Sequence, residues 1–270
     1  MRLPKRRIKR VINGLGHRLR PHRGRGPILF IVGFQRSGTS ILSECFDNDP
    51  RVRSYGEYGL AATPGEGPPR LIPRDALRTY LDQAPEPISV VKPLVESQWT
   101  PELLASNPRA SAVWLYRNFK SVGASNVKKF PDYNSSKLLS LICEGSDSHW
   151  VSERVSSETR DKVQQLSVYA EAPHDQMALV WLARNRLVKD HDLASQERLR
   201  LIKYDDLIQD PGAYFRGIYD FIDMPAPDPR AYASMHRDSA RKGHESPIHP
   251  EIAAACQALE DELDALRTTF

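Results

Sequence analysis

Hydrophobic residues in this chain fall in short blocks, separated by polar stretches that carry most of its Gly and Pro. From residue 27 onward β-rich runs alternate with helix-period stretches, the order expected of a mostly parallel sheet covered by helices. Ile28–Val32 is apolar at every position, as a central parallel strand buried on both faces requires. A Gly-rich turn follows, then a helix from Thr39 to about Phe46 that "DNDP" stops. "ISVVK" (88–92), "SAVWLYR" (111–117) and "RLRLIKY" (198–204) read as further strands, the last ending on Tyr204. "TPELLASNP" predicts a short helix with Thr100 as N-cap and Pro101 in its first turn. "KSVGASNVKKF" and "DPGAYFRGIYDFI" predict helices, and "HDQMALVWLARNRLVKDH" a strongly amphipathic one whose stripe of Met177, Val180, Trp181 and Leu187 reads as core. Residues 61–75 read as a Pro/Gly-rich surface loop, and 131–173 as polar, helix-prone and without a strand. The expectation is an α/β fold in one domain over residues 27–270, with a helical cap around 131–175.

Composition changes this picture little, and charge changes it at one end. Three widely spaced cysteines, Cys45, Cys143 and Cys256, form neither a disulfide framework nor a zinc pattern, which points to buried thiols in a reducing compartment. The longest apolar run is too short to span a bilayer, and the N-terminus lacks the pattern of a signal peptide. A cytoplasmic enzyme is therefore expected. The net charge is +4, but residues 1–26 hold ten Lys and Arg and no acidic residue, so the remainder is net negative. Within that segment Ile8, Val11, Ile12, Leu15 and Leu19 recur at helical spacing. It reads as a frayed extension, as a helix docked on the domain, or as a basic amphipathic helix in peripheral contact with an anionic membrane. Nucleic acid is not an expected partner, because the basic charge stops where the domain begins.

The chemistry-bearing stretch is "GFQRSGTS" (33–40). Gly33 and Gly38 have the separation of the phosphate-binding motif G-x-x-x-x-G-K-[ST], but Thr39 stands where the lysine belongs. Strand, tight turn and helix start still bring backbone N–H groups and a positive helix end to one point, which is an anion site. Ser37, Thr39 and Ser40 add hydroxyls, and Arg36 sits at the bend. Without the lysine, and with no clear magnesium-holding Asp, nucleotide triphosphate chemistry is weakened while a 5′-phosphate still fits. Further on, "WLYRNFKSVGAS" puts Arg117 directly after an apolar strand and Ser125 two helical turns later. A guanidinium fork and a hydroxyl so placed can grip a second phosphate from two sides.

These two motifs, in this order, resemble those of the sulfotransferases that use 3′-phosphoadenosine 5′-phosphosulfate (PAPS). The first loop resembles that of the tyrosylprotein-type and many bacterial members, which carry arginine where cytosolic members carry lysine. "KYDDLIQDP" (203–211) and "RKG" (Arg241, Lys242, Gly243) resemble later segments of the family, although "RKG" lacks the Gly-Asp-Trp that follows it in cytosolic members. The resemblance implies a three-layer sandwich of the P-loop NTPase type. It further implies that the first loop holds the 5′-phosphosulfate and that Arg117, Ser125 and the 241–243 loop hold the 3′-phosphate. Tyr204 reads either as a contact to the adenine or its cradle, or as a core tyrosine at the strand end. PAPS is then the donor, 3′-phosphoadenosine 5′-phosphate (PAP) the product, and no metal is required.

Sulfuryl transfer builds negative charge on the oxygen bridging to the leaving phosphate, so cationic and N–H donors belong there. Arg36 and Lys92, at the end of "ISVVK", fit that role, and Glu57 in "SYGEYG" is the leading general base for an acceptor hydroxyl or amine. His149 and His174 are rivals for the base. The acceptor is not encoded legibly: glycan, lipid, peptide tyrosine and small metabolite all fit, with a slight preference for a carbohydrate or lipid-linked glycan. Two other classes remain open, a P-loop kinase with a degenerate loop and a non-catalytic nucleotide-binding module.

Overall fold

Five parallel strands form one sheet in the order β2-β3-β1-β4-β5. The strands are β1 (Ile28–Gly33), β2 (Val52–Ser54), β3 (Ile88–Val91), β4 (Ala110–Tyr116) and β5 (Leu199–Lys203). The structure is a computed structural model, and it describes residues 26–60, 68, 70–130, 135–146, 149–235 and 247–270. Ten α-helices are described: α1 (Thr39–Asp47), α2 (Arg74–Asp82), α3 (Thr100–Ser106), α4 (Phe119–Lys129), α5 (Ser135–Glu144), α6 (Ser157–Ser167), α7 (Pro173–Asp190), α8 (Tyr204–Gln209), α9 (Pro211–Phe221) and α10 (Pro250–Leu266). The basic segment and the "RKG" loop lie outside the described residues.

Alternation along the strands divides the core in two. Ile28, Phe30 and Val32 of β1 and Ala112, Trp114 and Tyr116 of β4 face α4, α5, α7 and α10. Leu29 and Ile31 with Val113 and Leu115 face α1 and α9, meeting Leu42, Phe46 and Phe215. All six residues of β1 are buried, which explains the unbroken apolar run. The expected mostly parallel sheet is thus entirely parallel, with helices on both faces.

Four local expectations are corrected. The α7 stretch was expected to show a polar face, yet twelve of its eighteen residues are buried, Arg184 and Asn185 included, because α4, α5, α6 and α10 pack around it. Thr100 is not a side-chain N-cap. A 3₁₀ turn, Leu94–Trp99, runs directly into α3, and the Thr100 hydroxyl donates back to the Ser97 carbonyl at 2.7 Å. Tyr204 opens α8 instead of closing β5. Residues 74 and 75 belong to α2 rather than to the loop before it. Among the described residues no helix is long and apolar enough to cross a membrane.

Candidate functional site

Parallel strands present all their carboxyl ends at one edge, and the chain leaves β1 and β4 toward opposite sides of the sheet. Such a switch point is where open α/β sheets form their crevice. The loop after β1 occupies it. Gly33 has φ 125°, and a Cβ there would meet the Leu115 carbonyl oxygen at 2.3 Å, so only glycine permits β1 to end this close to β4. Ser97 pins the same residue, since its hydroxyl donates to the Gly33 carbonyl (2.9 Å) and accepts from the Gly33 N–H (3.0 Å). Arg36 takes a left-handed φ of 67°, which turns the chain before Gly38 (φ 93°) starts α1.

The start of α1 offers donors of the kind an anion can take. Its N-cap is Gly38, and no side chain caps it among the described residues, so the first-turn N–H groups are not claimed by a cap. Ser37 is fully buried, and its hydroxyl has no hydrogen-bond partner among the described residues. A buried hydroxyl without a partner costs free energy that a bound acceptor would return. Thr39 is buried and Ser40 exposed at the helix start.

Three cations converge on this loop. Arg36 Nε donates to Ser125 Oγ of α4 at 3.0 Å, joining the two phosphate-type motifs across the crevice. Burial, and then the charge of Arg117, holds the Arg36 guanidinium below its ordinary pKa. Arg117, directly after β4, lies with its guanidinium carbon 4.9 Å from the centre of the Tyr204 ring. That ring in turn presses on the loop: a Cβ on Gly38 would come within 2.1 Å of it. The third cation is Lys92, just past β3. It donates to Ser40 Oγ at 3.1 Å and pairs with Glu57 at 3.2 Å, its side chain only 7% exposed.

Glu57 reaches this position because of β2. The pairing Ser54↔Val90 runs parallel, so the residues just beyond both strands, Glu57 and Lys92, emerge at the same edge. A hydrogen bond between Ser43 and Ser54 (3.0 Å) fastens β2 to α1, and Gly56 (φ 62°) turns the chain back over the loop. Beside Glu57 the Tyr58 ring stands 76% exposed. The rival bases sit on other elements. His149 precedes α6 and accepts the Val151 N–H at Nδ1 (3.3 Å), and burial, then Lys137, lowers its pKa. His174 sits in the first turn of α7.

The wall beyond Lys92 is made of ion pairs that the sequence did not suggest. Glu153 takes Arg70 (2.8 Å), Gln98 Nε2 (2.7 Å) and Trp99 Nε1 (3.0 Å), and Arg70 also pairs with Glu96 (2.6 Å). Arg184 of α7 donates to Gln98 Oε1 (2.6 Å) and the Trp150 carbonyl (2.8 Å). Burial brings its pKa down to about 9. These partners lie far apart in the chain, so no local spacing signals them. Asn118 was missed too, although it carried a readable signal: it immediately precedes a helix, and its side chain caps α4 by accepting from Lys120 and Ser121 N–H. Among the described residues no group of three or more His, Cys, Asp or Glu is placed to hold a metal ion.

The sequence matches the family model described as "Sulfotransferase domain" over residues 27–244. Two solved structures are similar in fold. The sulfotransferase domain from the Synechococcus PCC 7002 olefin synthase is 14% identical, with a TM-score of 0.53, covering 91% of this chain and 98% of its own. The sulfotransferase domain from the curacin biosynthetic pathway is 16% identical, with a TM-score of 0.51, covering 88% and 98%. No curated protein matches the chain.

Proposed function

We propose that this chain, which belongs to the sulfotransferase family, takes the sulfuryl group of PAPS and passes it to a hydroxyl or amine acceptor by in-line displacement. In this reading the loop N–H groups, Ser37, Thr39 and Ser40 hold the 5′-phosphate against the start of α1. Arg117 and Ser125 take the 3′-phosphate, with Tyr204 under the guanidinium. The acceptor oxygen bonds to sulfur as the bond from sulfur to the 5′-phosphate oxygen breaks. The acceptor proton passes to Glu57, and the electron pair of the broken bond leaves with PAP. Arg36 and Lys92 face the charge that grows on the bridging oxygen.

The observation that carries this reading is the Arg36–Ser125 hydrogen bond, which joins at 3.0 Å two motifs far apart in the chain. One nucleotide bearing both a 5′- and a 3′-phosphate would satisfy both. The orphaned Ser37 hydroxyl and the clustering of Arg36 with Arg117 also suit an anionic ligand, because each is costly without one. A carbohydrate acceptor draws support from the exposed Tyr58 ring beside Glu57, an apolar face on which a sugar ring can pack. Thermal unfolding with PAP and with ATP–magnesium tests the reading. PAP should raise Tm without magnesium and by more than ATP, whereas preference for ATP–magnesium would restore the kinase reading.

A further inference from the structure

Helix α10 lies wholly beyond the residues that match the family model, which end at 244. Two of its carboxylates nonetheless reach into the structure just behind the candidate nucleotide site. Glu260 is 3% exposed and uses both oxygens: Oε2 accepts from Asn118 Nδ2 at 2.9 Å, and Oε1 pairs with Lys203 Nζ at 3.0 Å. Asp264, one turn on, accepts from the Tyr116 hydroxyl (2.7 Å) and from Lys203 Nζ (2.7 Å). Burial pulls the Lys203 pKa down, but its bonds to Asp264 and Glu260 outweigh that and leave it raised.

The residues gathered by these carboxylates are not scattered. Tyr116 and Asn118 are the two chain neighbours of Arg117, one on each side. Lys203 is the residue before Tyr204, whose ring the Arg117 guanidinium covers. Asn118 does a second job, because its Oδ1 caps α4 (Lys120 N at 3.0 Å, Ser121 N at 3.3 Å), the helix that carries Ser125. One buried carboxylate therefore restrains the backbone of Arg117, the start of the Ser125 helix and the strand end that presents Tyr204.

We infer that Glu260, with Asp264, is a positioning residue for the 3′-phosphate grip formed by Arg117 and Ser125, supplied by a helix outside the matched family domain. Neither carboxylate touches the ligand. Each fixes, through Asn118, Tyr116 and Lys203, where the guanidinium and the hydroxyl stand. The inference rests on the proposed 3′-phosphate role of Arg117 and Ser125.

PAP and 5′-AMP differ only in the 3′-phosphate, so their affinities separate a grip effect from a general one. Glu260→Gln keeps the volume but removes the charge that faces Lys203. It should weaken PAP about tenfold, leave 5′-AMP unchanged, and raise KM for PAPS with little change in kcat. Asn118→Ser keeps an N-cap hydroxyl but cannot reach Glu260. It should show the same selective loss, and it decides the matter if the Glu260 variant does not fold. An unchanged ratio of PAP to 5′-AMP affinity, or equal loss of both ligands, would overturn the inference. Wild-type protein that binds 5′-AMP as tightly as PAP would overturn the underlying 3′-phosphate reading as well, so the two failures are distinguishable.

Discussion

The loop Gly33–Ser40 and the wall formed by residues 94–99 and 149–155 meet where Ser97 bonds Gly33, but they are held in place by different physics. The loop is fixed by backbone. Two glycines occupy conformations or spaces closed to other residues, a serine pins the strand end, and a tyrosine ring closes against Gly38. The wall is fixed by long charged side chains meeting from distant parts of the sequence, with Glu153 at their centre. Backbone geometry of the first kind can hold dipoles at a set point with little reorganisation, which suits binding a constant group such as phosphate. Ion pairs of the second kind depend on every partner being present, so losing one strands the others.

Chemistry at the edge between the two regions should show the largest effect. Glu57→Gln is expected to lower the rate of transfer about 10²–10⁴-fold while PAP binding survives, measured with labelled PAPS and by calorimetry. Normal transfer by this variant would remove Glu57 as the base and return His149 and His174 to consideration. Within the loop, Arg36→Ala should cost about 10²–10³-fold in kcat with little loss of stability, because the turn is held by its glycines and Ser97. A large fall in Tm would show instead that the arginine holds the loop, and the contrast between loop and wall would lose its sharpness.

In the wall the order of effects should reverse, with stability suffering before chemistry. Glu153→Ala leaves Trp99 Nε1 without its acceptor and takes one of two acceptors each from Gln98 Nε2 and Arg70, and it should cost about 1–3 kcal/mol in denaturant unfolding. The smallest effect is on pH dependence. Burial acts to raise the Glu153 pKa, but hydrogen bonds from Arg70, Trp99 and Gln98 hold it below its usual 4.5. Its stabilising contribution is therefore complete above about pH 4.5 and is lost as pH falls through the lower value of the folded state. Glu153→Gln should flatten that part of the acid limb, and an unaltered limb would mean that other carboxylates set it.

The same division explains what could be read from the sequence. Ile28–Val32 announces itself because a central parallel strand must be apolar throughout, and Gly33, Arg36 and Gly38 because tight turns demand particular residues. Arg117 and Ser125 are legible through strand-to-helix spacing. By contrast β2 has three residues, "VRS", too few for any alternation to register, yet it alone brings Glu57 to Lys92. Helix α7 looked amphipathic because Arg184 and Asn185 are polar, and only its neighbours show that these residues are buried and bonded. Helix α10 did carry a periodic signal in Ile252, Cys256, Leu259 and Leu263. Nothing in the spacing of its acidic residues marks Glu260 as the one that is buried.

The strand order has a consequence for synthesis. The central strand is made before the other four, its neighbour β4 comes far later, and the α10 carboxylates that bind the chain neighbours of Arg117 come after both. A chain emerging from the ribosome at about 5–20 residues per second thus exposes an apolar β1 for many seconds before its partners arrive. Until α10 docks, Asn118, Tyr116 and Lys203 lack the carboxylates that bind them. In the proposed reading, the grip on the 3′-phosphate is therefore completed later than the loop that holds the 5′-phosphate.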